Sequence, residues 1–75
     1  MKTKVLYFNS NTKENYYILY LELSKRFNGL DEINVEMVNT YLESINEKFY
    51  IRNLSYQLEL YNINNEYVFC INKPN

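Results

Sequence analysis

Histidine, tryptophan and alanine are missing from this chain, and cysteine, glycine and proline occur once each among its 75 residues. Each absence removes a class of chemistry. Without histidine, Cys70 has no imidazole to take its proton, and Ser10, Ser24, Ser44 and Ser55 have no base. One thiol and no imidazole do not make a zinc or haem ligand set. A single glycine, Gly29, cannot build a phosphate-cradling loop. No apolar run approaches the ~20 residues of a membrane-spanning helix. The stretch from Val5 to Phe8 is too short for the apolar segment of a signal peptide. A lone cysteine and no export signal suggest a reducing, cytoplasmic setting. The expectation is a chain with no enzymatic activity, cofactor, metal or membrane anchor.

What is abundant is asparagine, with thirteen residues, and aromatic surface, with nine Tyr and four Phe. Asn, Lys, Ile and Tyr are all specified by AT-rich codons, which suggests an AT-rich genome or mobile element. A chain of 75 residues makes a single domain and buries only ~60% of the surface its unfolded form exposes. With no disulfide or metal staple, packing and self-association must supply stability, and the aromatics must carry much of the burial. A homodimer is therefore an expected state.

The net charge of −1 argues against a generic nucleic-acid binder. Its distribution says more. Residues 1–28 carry five basic and two acidic side chains, a local +3, whereas residues 29–49 carry Lys48 against Asp31, Glu32, Glu36, Glu43 and Glu47, a local −4. Residues 50–75 balance.

The clearest periodicity lies in 34–53. Val35, Val38, Leu42, Ile45 and Phe49 follow at steps of three, four, three and four, one stripe along an α-helix. Asn34 is a preferred N-cap, Glu36 suits the first turn, and Ile33 can staple onto Val38. At the far end Asn53 can take a left-handed cap, with Leu54 meeting Phe49.

Before this helix, Lys4–Phe8 reads as a strand and 9–15 as a polar turn. Tyr16–Leu23 admits two readings. As a helix it has a candidate capping box in Asn11 and Glu14, Lys25 and Arg26 in its last turn, and Gly29 beyond. Such a helix is apolar nearly all round, and Lys25 stands where a Schellman cap at Gly29 wants an apolar residue. The strand reading is therefore preferred, with 24–33 as a loop turning at Asn28-Gly29. A two-residue hairpin at Asn28-Gly29 is excluded because Leu23 would oppose Asn34 and Glu22 would oppose Val35.

After the helix the period changes to two: Leu54, Tyr56, Leu58 and Leu60 share one face, and Ser55, Gln57, Glu59 and Tyr61 the other. A loop at Asn64-Asn65 sets Leu60 opposite Phe69, Leu58 opposite Ile71 and Asn62 opposite Tyr67. Lys73-Pro74-Asn75 is a natural stop. The expected fold is α+β, a small antiparallel sheet in the order β-β-α-β-β with one amphipathic helix on one face. The alternative makes 12–27 a second helix, giving β-α-α-β-β.

Two surfaces are candidates for function. Glu36, Thr40, Glu43 and Glu47 recur at four, three and four, opposite the apolar stripe. They form either a solvated outer face or a docking surface for a basic groove. As catalytic carboxylates they lack a cleft to separate their pKa values. The sheet face away from the helix is expected to carry Tyr16, Ile18, Tyr20, Tyr61 and Val68, a patch suited to a dimer seam or a partner. These place the partner-binding residues at Glu36, Glu43, Glu47, Tyr16, Tyr20 and Tyr61. The function they suggest is a small interaction protein, a phage or mobile-element accessory or inhibitor of a host or defence protein. The competing expectation is a nucleic-acid-binding module in which bases stack on tyrosines beside Lys2, Lys4, Lys13, Lys25 and Arg26.

Overall fold

The computed structural model describes residues 2–7 and 9–74. In chain order they form β1 (Lys4–Tyr7), α1 (Lys13–Phe27), α2 (Val35–Ser44), β2 (Tyr50–Asn53), β3 (Gln57–Tyr61) and β4 (Tyr67–Asn72). The strands make one antiparallel sheet in the order β1-β4-β3-β2. The class is the expected α+β with an antiparallel sheet. The element order is β-α-α-β-β-β, so two assignments need correction. Phe8 and Asn75, placed by the sequence in a strand and at the stop, lie outside the described residues.

The first correction is at 16–23, preferred as a strand: Lys13–Phe27 is a helix, as the alternative reading of 12–27 has it. Tyr16, Leu19, Tyr20, Leu23 and Phe27 recur at three, one, three and four, and this stripe turns inward: Leu23 and Phe27 are buried, the other three half-buried. Carried to Phe27, the period is that of a helix, and the strand reading stops short of it. The remaining apolar residues stay on the surface. Tyr17, Ile18 and Leu21 stay 46%, 70% and 41% exposed. The molecule tolerates the all-round apolar helix by leaving one strip outside.

The ends of α1 also differ from the proposed capping box. Asn9, not Asn11, organises the entry: its Oδ1 accepts from the Asn11 amide (2.9 Å), and its side-chain amide donates to the Tyr67 carbonyl. Buried Thr12 donates to the Asn9 carbonyl at 3.2 Å through both its amide and its hydroxyl. At the exit there is no Schellman cap, in keeping with Lys25. Instead Phe27–Leu30 forms a turn closed by the Leu30 amide on the Phe27 carbonyl (3.2 Å), with Gly29 at φ +89°. A positive φ at the third turn position is where glycine is required. The Gly29 amide then donates to the Thr3 carbonyl and the Thr3 amide to the Leu30 carbonyl, tying the chain's start to this turn.

The second correction is at 45–53. The expected helix ends at Ser44, although its beginning is as read: the Asn34 Oδ1 accepts from the Met37 amide at 3.0 Å. Asn46, at φ +57°, takes the left-handed position assigned to Asn53. The Glu47 amide reaches the Leu42 carbonyl (2.9 Å) and the Asn46 amide the Glu43 carbonyl (3.1 Å), the paired bonds of a Schellman cap. Val38 and Leu42 are buried as the stripe requires, but Ile45, beyond the helix, is 38% exposed. Phe49 is half-buried and packs on Tyr16 and Phe69 as the chain enters β2. Tyr50–Asn53 then forms an edge strand, pairing Ile51 with Leu60 and Asn53 with Leu58.

In the β3–β4 hairpin Leu58 faces Ile71 and Leu60 faces Phe69, as the apolar alternation demands. Beyond Leu60 a bulge brings Tyr67 opposite Tyr61 instead of Asn62. The cause is Asn62, which is buried and folds the loop onto itself. Its Oδ1 accepts from the Asn64 and Glu66 amides, at 3.0 and 2.9 Å, and its Nδ2 donates to Glu66 at 3.0 Å. Asn65 supplies the positive φ of +63°. Tyr56, expected on the inner face of a strand, lies exposed in the turn before β3.

The helices cover one face of the sheet. Val5, Leu58, Leu60, Phe69 and Ile71 from the sheet meet Leu23, Phe27, Ile33, Val38 and Leu42 in one core. At its centre Phe69 is ringed by Tyr7, Tyr16, Tyr20 and Phe49, with ring centres 5.6 to 6.3 Å away. The aromatic share is smaller than expected: Phe27 and Phe69 are the aromatic members of the buried core, the rest of which is mainly aliphatic, and Tyr7, Tyr16, Tyr20, Tyr41 and Phe49 pack half-buried around it.

Candidate interaction surfaces

The tyrosine patch expected on the uncovered sheet face is dispersed. Because 13–27 is a helix, Tyr16 and Tyr20 lie on its inner side and direct their rings at Phe69; Tyr20 also meets Tyr7 at a tilt and stacks on Tyr17. Ile18 points outward from α1, and Val68 is buried at the bulge. Only Tyr61 is where the patch was expected. It meets Tyr67 edge-on at 5.5 Å, across β3 and β4.

That uncovered face carries a polar cluster which the sequence reading missed. Alternation within the sheet puts Tyr50, Arg52, Gln57, Glu59, Tyr61, Tyr67, Cys70 and Asn72 on it, with Lys4 and Leu6 of β1 beside them. The Glu59 side chain, mostly buried, accepts from Gln57 (3.3 Å) and from the Tyr61 hydroxyl (3.2 Å), and pairs with Arg52 at 3.5 Å. Burial, the Cys70 hydrogen bond and the nearby Glu59 push the Tyr67 hydroxyl far up. Burial and Glu59 raise the Cys70 thiol too, against an opposing hydrogen bond from Tyr67. A thiol held protonated is the reverse of an activated nucleophile. The Gln57-Glu59-Tyr61 alternation was visible in the sequence; its partner Arg52 was hidden by assignment to a helix.

The acidic set remains together on the outside. Glu36 and Glu43 are exposed on α2, Glu47 is exposed just beyond its cap, and Asp31 and Glu32 are exposed ahead of it. Among the described residues none of the five forms an ion pair. Each of the three predicted glutamates borders a groove. Glu36 lines one of ≈ 530 Å³ with Arg26, Phe27, Met37 and Tyr41. Arg26 lies over the Tyr41 ring, 5.4 Å from its centre. Burial and Glu22 raise the Tyr41 hydroxyl, and Arg26 opposes them. Glu43 and Glu47 line a second groove, of ≈ 350 Å³, with Leu42, Phe49, Tyr50 and Ile63. Lys48 and Asn39 line it too, and Tyr50 and Ile63 are well exposed, so the groove combines two carboxylates, one cation and apolar side chains.

The basic residues Lys2, Lys4, Lys13, Lys25 and Arg26 are all exposed. They do not frame a tyrosine platform, because Tyr16 and Tyr20 are committed to the core. Among the described residues no cluster of three metal-ligating side chains occurs, and no helix is long and apolar enough to cross a membrane. Comparison with known proteins finds no matching family model, no matching curated relative and no matching solved structure.

Proposed function

We propose that this chain is a small, non-enzymatic binding protein that acts in the cytoplasm by occupying a basic surface of another protein. The reading rests on one observation: Asp31, Glu32, Glu36, Glu43 and Glu47 are exposed along one stretch, with no cation paired to any of them among the described residues. Such a surface steers association with a positively charged groove and resists like-charged partners. The apolar side chains that line the groove beside Glu43 and Glu47 (Phe49 and Ile63) add desolvated contact that charge alone does not supply. A groove built to hold nucleic acid has the required chemistry. Small size and the abundance of Asn, Lys, Ile and Tyr, all residues with AT-rich codons, suit an accessory or inhibitory protein of a phage or mobile element, with a host or defence protein as its target.

The test uses the triple variant Glu36→Gln, Glu43→Gln, Glu47→Gln. These side chains are exposed, so the fold is expected to survive, as circular dichroism would show. Each exposed pair contributes up to about 1 kcal/mol, so the variant should bind a partner captured from host extract about tenfold or more weakly at low salt. Raising salt should weaken the wild type towards the variant. Equal affinity of the two proteins at low salt would remove the acidic face from consideration. Tight binding of a labelled oligonucleotide in the same buffer would favour the nucleic-acid reading instead.

A further inference from the structure

The outer side of α1 carries a second surface with its own logic. Glu14, Ile18, Leu21 and Lys25 follow at steps of four, three and four, so they form one straight stripe along the helix, about 16 Å long. All four are exposed, and Ile18 at 70% is the most exposed large apolar side chain of the described residues. Tyr17 flanks the stripe and Ile45 lies across a hollow beside Ile18. A further hollow runs beside Leu21 and Lys25. The order along the stripe is acid, apolar, apolar, base.

That order is self-complementary. Turned end for end about a two-fold axis between Ile18 and Leu21, the stripe sets Glu14 against Lys25 of the second copy and Ile18 against Leu21 of the second copy. Each contact then occurs twice, as an isologous interface requires. The hollows on both sides of the stripe are the grooves that ridges of a facing helix fill. We infer that α1 is the seam of an antiparallel homodimer, with a second copy of this chain as the occupant of the Glu14–Ile18–Leu21–Lys25 stripe. None of the four belongs to the acidic set proposed for partner binding; Glu47 of that set borders the hollow beside Ile18, and the seam variants leave it unchanged, so the two proposals are tested on different variants. The area is that of a single helix pair, at the low end for specific interfaces, so the dissociation constant is on the order of micromolar or weaker.

Glu14 and Lys25 also suit the dipole of their own helix, which favours an acid in the first turn and a base in the last. Charge exchange separates the two roles. The variants Glu14→Lys and Lys25→Glu each place like charges at both ends of the seam. By sedimentation across a concentration series, each alone should dimerise about tenfold more weakly than wild type. An equimolar mixture of the two restores opposite charges at both ends and should recover wild-type association as a heterodimer. Lost dipole compensation is internal to each chain and mixing cannot repair it. Ile18→Lys, at a position too exposed to disturb the core, should give a monomer where the wild type is dimeric. The proposal is overturned if the wild type stays monomeric to about millimolar concentration. It is equally overturned if Ile18→Lys leaves association unchanged, or if the mixed charge variants associate no better than either alone.

Discussion

Tyr67 and Cys70 sit on the uncovered sheet face, yet their surroundings bind protons tightly. Burial is the largest cause for both, and Glu59 adds to each. Both groups are neutral when protonated and lose their protons from ordinary values of 10.0 and 9.0 in an unfolded chain. Once pH passes those values, the unfolded chain binds fewer protons than the folded one, so linkage favours unfolding and stability falls as pH rises. Thermal melts should therefore show a melting temperature that declines as pH climbs past 9.0 and more steeply past 10.0. In Tyr67→Phe the second decline should be shallower. Parallel curves for the two proteins would show that Tyr67 makes no contribution to it.

Among the elements, α2 owes its length to Asn46. A left-handed φ of +57° strains any side chain with a branched Cβ, whereas glycine adopts it freely. Asn46→Val should lower stability in a urea melt by about 1–2 kcal/mol, and Asn46→Gly should leave it unchanged or slightly raised. Equal stability of the valine and glycine variants would mean that the cap does not set the helix end. The same residue explains where the sequence was legible. Asn34, Val38 and Leu42 act as their spacing implied, and so do the Leu58–Ile71 and Leu60–Phe69 pairs. The stripe read on to Phe49 because a residue can return to the same core by another route: Phe49 arrives there from the approach to β2. The cap was assigned to Asn53 because the stripe ran on to Phe49, and Asn46, inside that stripe, takes it instead. In α1 the inward stripe from Tyr16 to Phe27 was present, but the exposed Tyr17, Ile18 and Leu21 argued against it. Burying everything apolar is the wrong premise for a helix that leaves Tyr17, Ile18 and Leu21 exposed. The acidic set was legible because exposure and spacing alone define it. The Glu59 cluster was not, because it depends on pairing two strands through a hairpin.

At the scale of the whole molecule, β4 is the strand on which the sheet depends. It lies between β1 and β3, and its Phe69 holds the rings of Tyr7, Tyr16, Tyr20 and Phe49 around it. Without β4, β1 has no neighbour and β2–β3 is an isolated hairpin, which is marginal in water. A version of the chain terminated after Glu66 should show no cooperative thermal transition and no strand signal in circular dichroism. A sharp transition in that fragment would mean that the helices and β2–β3 fold without the central strand.

The same placement concentrates the cost of closing the sheet. β1 and β4 stand about sixty residues apart in the chain yet are neighbours, with Tyr7 opposite Phe69, so their pairing closes a long loop. The β3–β4 hairpin closes over a short turn instead.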